Sequence, residues 1–76
     1  MKIRRSKSTQ FENAIDVSGP GADPAKRHAS IGAALSYAQG LAVAATVPVV
    51  YKVREFEDVL YRVTRDEHRI VLTERT

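Results

Sequence analysis

From Ala29 to Tyr51 the chain carries no Asp, Glu, Lys, Arg or His, although charged residues make up 28% of the whole. A chain of 76 residues hides only about 60% of its unfolded surface on folding, so its core must be drawn from a few segments. The uncharged stretch marks one Ala-rich helix and the strand after it as the centre of the fold. A basic N-terminal arm and a charged hairpin region flank it.

Within the stretch, Ile31, Ala34, Leu35, Ala38, Leu41, Ala42 and Ala45 recur at three- and four-residue steps and form one apolar helical stripe. Asp23 is a suitable N-cap, and Pro24 suits the first helical position, where an amide hydrogen is not needed. Pro48 disfavours helical geometry at Val47, so the helix is expected to stop near Thr46. The stripe should lie on a sheet.

Beyond Pro48 the apolar period becomes two. Val49, Tyr51 and Val53 share one parity, and Val59, Tyr61, Val63, Ile70 and Leu72 continue it on two further strands. A three-residue turn at Glu55-Phe56-Glu57 would pair Val53 with Val59 and Arg54 with Asp58, and a two-residue turn at Asp66-Glu67 would pair Val63 with Ile70. Upstream, Phe11, Ile15 and Val17 share a parity that suggests a first strand, which Ile3 would extend. Ser18-Gly19-Pro20-Gly21-Ala22 separates that strand from the helix. The expected fold is α+β with element order β-α-β-β-β, an antiparallel sheet with one helix packed on one face. It forms a single domain over residues 1–76, with 1–8 a basic arm or strand extension.

The chemistry-bearing residues are sparse. The chain has no Cys, and His28 and His68 stand apart in no ligand or catalytic spacing, so neither a metal site nor a nucleophilic centre can be assembled. Each histidine reads as a solvated surface residue, His28 in the first helical turn. The carboxylates Glu55, Glu57, Asp58, Asp66 and Glu67 fall in turns, where polar residues are common for conformational reasons. No glycine loop cradles a phosphate, so the reading is a non-enzymatic chain without a cofactor. The basic N-terminus is followed by Glu12, Asn13 and Asp16 rather than an apolar signal-peptide core, which reads as cytoplasmic. Ala29 to Val50 is long enough to span a bilayer, but Gln39, Thr46, Pro48 and much Ala in place of Leu argue against a membrane segment.

Two surfaces stand out. On the sheet face away from the helix, Lys52, Arg54, Arg62, Thr64, Arg69 and Thr73 should emerge around Val50, Leu60 and Val71, giving a cationic face with an apolar centre. On the outer side of the helix, Gly32, Ser36 and Gly40 form a row of small residues beside Tyr37, a pattern that lets another backbone approach. That row suits a homodimer or a partner, or cover by the chain's own N-terminal segment. The net charge of +3 resides in the N-terminal part, where Arg4, Arg5 and Lys7 are candidates for contact with nucleic-acid phosphates.

The short first strand, the segment DPAKRHASIGAALSYAQGLA and the meander VVYKVREFEDVLYRVTRDEHRIVLTE resemble, in size and order of elements, small phage-borne inhibitor proteins of the anti-CRISPR type. The resemblance implies a stand-alone protein that binds a larger bacterial nucleoprotein complex and blocks its nucleic-acid binding or cleavage. The leading expectation is therefore a protein-binding module acting through Lys52, Arg54, Arg62 and Arg69, with Tyr37 and Gly40 as further contacts. The alternative is a nucleic-acid-binding protein using the basic arm and the same sheet face.

Overall fold

The computed structural model describes residues 14–76. Phe11, Ile3 and the arm carrying Arg4, Arg5 and Lys7 lie outside the described residues. The elements are β1 (Ile15–Ser18), α1 (Ile31–Ala44), β2 (Val49–Glu55), β3 (Asp58–Arg65) and β4 (Val71–Arg75). All neighbouring strands run antiparallel, in the sheet order β1-β2-β3-β4, and α1 packs on one face. The fold is thus α+β with the order β-α-β-β-β.

The helix approaches the sheet through alanine. Ala34, Ala38 and Ala42, spaced four apart, are fully buried, while Leu35, Leu41 and Ala45 pack at the margins of the core. From the sheet side come Val17, Tyr51, Val53 and Val63, the largest sealed side chains, joined by Ile15 and Val49. Short methyl side chains let the helix sit close, and the valines and the tyrosine ring fill the layer between. The period-two pattern of β2 is realised as buried Val49, Tyr51 and Val53 alternating with exposed Val50 and Lys52.

The helix starts later than Asp23-Pro24 suggested. Ser30 is the N-cap, extended in backbone, and its hydroxyl accepts from the Ala33 amide at 3.1 Å. Asp23 instead organises a turn, accepting from the Ala25 amide at 2.9 Å through its side chain and from the Lys26 amide through its carbonyl. His28 is drawn into the sheet by its amide N–H, which donates to the Ile15 carbonyl at 2.9 Å and holds this residue out of helical geometry. At the other end the Ala45 amide closes the last turn on the Ala42 carbonyl, two residues before Val47.

Both hairpins differ from the expected registers. The first turns on Phe56-Glu57, with Phe56 at φ 56°, and pairs Glu55 with Asp58 and Arg54 with Val59. A bulge then leaves Leu60 extra, so Val53 faces Tyr61 and Tyr51 faces Val63. Val59 consequently shares the side of Arg54 and leaves the core parity expected for it. In the second hairpin Asp66 Oδ1 accepts from the amides of His68 and Ile70, and Arg69 adopts φ 67°. This longer turn sets Val63 opposite Thr73 and Arg65 opposite Val71, a slip of three residues. An odd slip exchanges the faces of β4. Val71 packs on the core and Thr73 Oγ1 accepts from Gln39 of α1 at 2.9 Å, whereas Ile70 and Leu72, expected inside, are about half exposed.

Candidate functional site

The sheet face away from α1 is built from cross-strand rows. One row runs Ser18, Lys52, Arg62, Glu74 across the four strands, and the next runs Val50, Thr64, Leu72 across β2, β3 and β4. Lys52, Arg62 and Glu74 are exposed, and Val50 and Leu72 are 43% and 51% exposed. Lys52 and Arg62 are directly opposite each other, an arrangement of like charges that works against the sheet. Neither takes part in an ion pair among the described residues. Arg62 also faces Glu74 on β4, so the row presents two positive charges and one negative beside an apolar strip.

Arg54 belongs to the same face but is committed inside the chain. Its Nε and Nη2 donate to the two carboxylate oxygens of Asp16 at 2.9 and 3.3 Å, and the two residues are register partners on β2 and β1. Asp16 is buried, so this two-point pair ties the short edge strand to the sheet. The hydrogen bond to Asp16, and then its charge, hold the Arg54 proton more tightly than usual. Arg54 was expected as a free contact residue alongside Arg62. Reversing its charge would strand the buried Asp16 carboxylate and test the fold as much as binding.

Arg69 leaves the face altogether. Its left-handed backbone places it in the β3–β4 turn, at a cavity on the helix side of the sheet. Val71 and Thr73, also expected on the open face, turn toward the helix for the reason given above. The open face is thus smaller than expected, and Leu72 replaces Val71 in its apolar strip.

On the helix, Tyr37 is engaged by its own chain. Its hydroxyl accepts from the Asp23 amide at 3.1 Å, its ring lies 5.0 Å from that of His28, and Lys26 Nζ sits 5.6 Å from the ring centre. The segment between β1 and α1 therefore packs on Tyr37. Gly32, Ser36 and Gly40 remain exposed. A methyl group added at Gly40 would meet nothing within 4 Å. Gly40→Ala should consequently raise the thermal midpoint, since Ala is favoured over Gly inside a helix by about 1 kcal/mol. A lower midpoint, with less self-association in sedimentation, would show that a second backbone packs there.

His28 was expected on the surface and is 6% exposed, with its Nε2 buried and unpartnered. Burial and then the neighbouring Lys26 charge push its pKa below the ordinary 6.5, with Asp16 opposing weakly. The unfolded chain therefore binds this proton before the folded one does. Stability contributed by neutral His28 is complete above about pH 6.5 and is lost as pH falls through the lowered value. Melting curves between pH 7.5 and 5 should show this decline, and His28→Leu should flatten it; an unchanged pH profile in the variant would refute the assignment.

No helix among the described residues is long and apolar enough to cross a membrane. The chain is a small α+β domain, and among the described residues no helix or strand covers the sheet face away from α1. Neither a protein-family model, nor a curated protein, nor a solved structure matches the chain.

Proposed function

We propose that this chain is a non-catalytic protein-binding module, an inhibitor or regulator of the cytoplasm that docks the open face of its sheet on an acidic surface of a larger bacterial protein or nucleoprotein complex. The observation that carries this reading is the Lys52–Arg62 pair, two like charges held face to face on neighbouring strands beside exposed Val50 and Leu72. Within the chain the Lys52–Arg62 contact is unfavourable and is offset in part by Glu74 opposite Arg62; against an acidic partner the two cations form a patch with an apolar anchor. Occupying a partner's nucleic-acid-binding surface inhibits without chemistry.

Direct nucleic-acid binding is less well supported, because single-stranded nucleic acid is commonly held by stacking bases on aromatic rings. Of the strand aromatics Tyr51 is sealed in the core and Tyr61 packs at its margin, and the exposed Phe56 stands in the turn between β2 and β3. Affinity capture from nuclease-treated bacterial lysate separates the two. A stoichiometric protein that stays bound after nuclease supports the docking module, whereas material lost on nuclease treatment and at moderate salt supports nucleic-acid binding.

A further inference from the structure

At the C-terminal end of α1 a cavity of about 400 Å³ opens between the helix and the β3–β4 turn, with Thr46, Arg65, Arg69 and Val71 in its lining. Arg65 reaches it because the parity of Val63 continues along β3 toward the helix, between Val49 and Val71 on the adjacent strands. Arg65 is 5% exposed. No side-chain hydrogen bond or ion pair holds its guanidinium among the described residues, yet none of its nitrogens is sealed from solvent. A guanidinium so little exposed, with no hydrogen-bonded carboxylate, is costly for a small core to hold. Asp66, next in the chain, feels the Arg65 charge, but its Oδ1 is committed to the His68 and Ile70 amides and it makes no hydrogen bond to the guanidinium among the described residues.

The ligand's charge and body follow from the surroundings. Two guanidinium groups call for an oxyanion, which Arg binds at two points. The C-terminal end of α1 contributes about half a negative charge at the cavity wall, which offsets part of that attraction and disfavours a dianion more than a monoanion. Val43, in the lining, is 70% exposed, and Val47 and Ile70, next in sequence to lining residues, are 58% and 49% exposed. A ligand that uses both features carries one negative charge on an apolar neighbour.

We propose that this cavity binds the carboxylate of an acidic peptide segment, an Asp or Glu side chain seated between Arg65 and Arg69 with an adjacent apolar residue against Val43, Val47 and Ile70. The site lies on the helix side of the sheet, so it stands or falls separately from Lys52 and Arg62.

The test is an NMR titration of the arginine Nε–Hε signals of the full chain with acetyl-Leu-Glu-Leu-amide, its Gln counterpart, sodium acetate and inorganic phosphate. Saturable shifts at Arg65 and Arg69 are expected with the Glu peptide, with binding about tenfold or more weaker for the Gln peptide, the size of one charge-assisted hydrogen bond. Arg65→Met, which removes a little-exposed charge with no hydrogen-bonded carboxylate, should melt no lower than the parent and lose the response. Arg69→Gln, at an exposed position, should weaken it without touching the core. Equal binding of both peptides, shifts that never saturate, or tighter binding of phosphate than of the Glu peptide would each overturn the assignment.

Discussion

Gly19→Ala should destabilise the domain by about 2–4 kcal/mol, combining a strained backbone with overpacking. Gly19 sits at φ 149°, outside the range comfortable for a residue with a side chain. A methyl group there would come within 2.5 Å of the Tyr51 ring and 2.8 Å of the Val50 carbonyl oxygen. Neither neighbour yields easily. Val50 is ladder backbone in β2, and the Tyr51 ring is 2% exposed and anchored by its hydroxyl, which donates to the Pro20 carbonyl at 2.7 Å. A domain of 76 residues commands only about 4–11 kcal/mol in total. Urea unfolding of the variant should therefore show a midpoint far below the parent's, or no folded baseline. A parent-like midpoint would mean that the approach of this loop to β2 is not as described.

Ala38→Leu should cost about 1–3 kcal/mol, and more if the sheet does not give way. Ala38 is fully buried midway along the Ala34, Ala38, Ala42 ridge, and the core beneath is filled by Val53, Val63 and Tyr51. Leucine is as good a helix former as the helix needs, so any loss reports helix–sheet spacing rather than helical propensity. Ala33→Leu, at an exposed helix position, supplies the control and should leave the midpoint within about 0.5 kcal/mol. Equal effects at the two positions would contradict the alanine ridge.

The parts of the fold governed by local periodicity were legible in the sequence. Val49, Tyr51 and Val53 alternate with Val50 and Lys52, and the alanine ridge of α1 was in the helical stripe from the start. What was not legible depended on turn chemistry and on distant partners. The capping of two amides by Asp66 lengthens the second turn, and the resulting odd slip exposes Leu72 and turns Val71 inward. Asp66 at the head of the turn was the available signal. The N-cap of α1 is Ser30, directly before Ile31, a residue that the Asp23-Pro24 expectation passed over. Arg65 continues the core parity of Val63 by two residues, so its inward position was written in the strand, although its charge argued against reading it that way. The burial of His28 rests on Ile15 and Tyr37, remote in sequence, and no local pattern announces it. The open face was half legible: Lys52 and Arg62 stand where expected, but the pairing of Arg54 with Asp16 required the β1–β2 register.

Lys52→Glu tests the central claim most directly, because the docking account sends two readouts of one variant in opposite directions. The substitution turns a like-charge cross-strand pair with Arg62 into an attractive one, which should raise thermal stability by about 0.2–1 kcal/mol. It also breaks the cationic patch, so recovery of the nuclease-resistant protein partner should fall at least about tenfold, the size of a desolvated charge contact. Higher stability with lost binding is the predicted result. Unchanged partner recovery from the folded variant would contradict the assignment of the open sheet face as the docking surface.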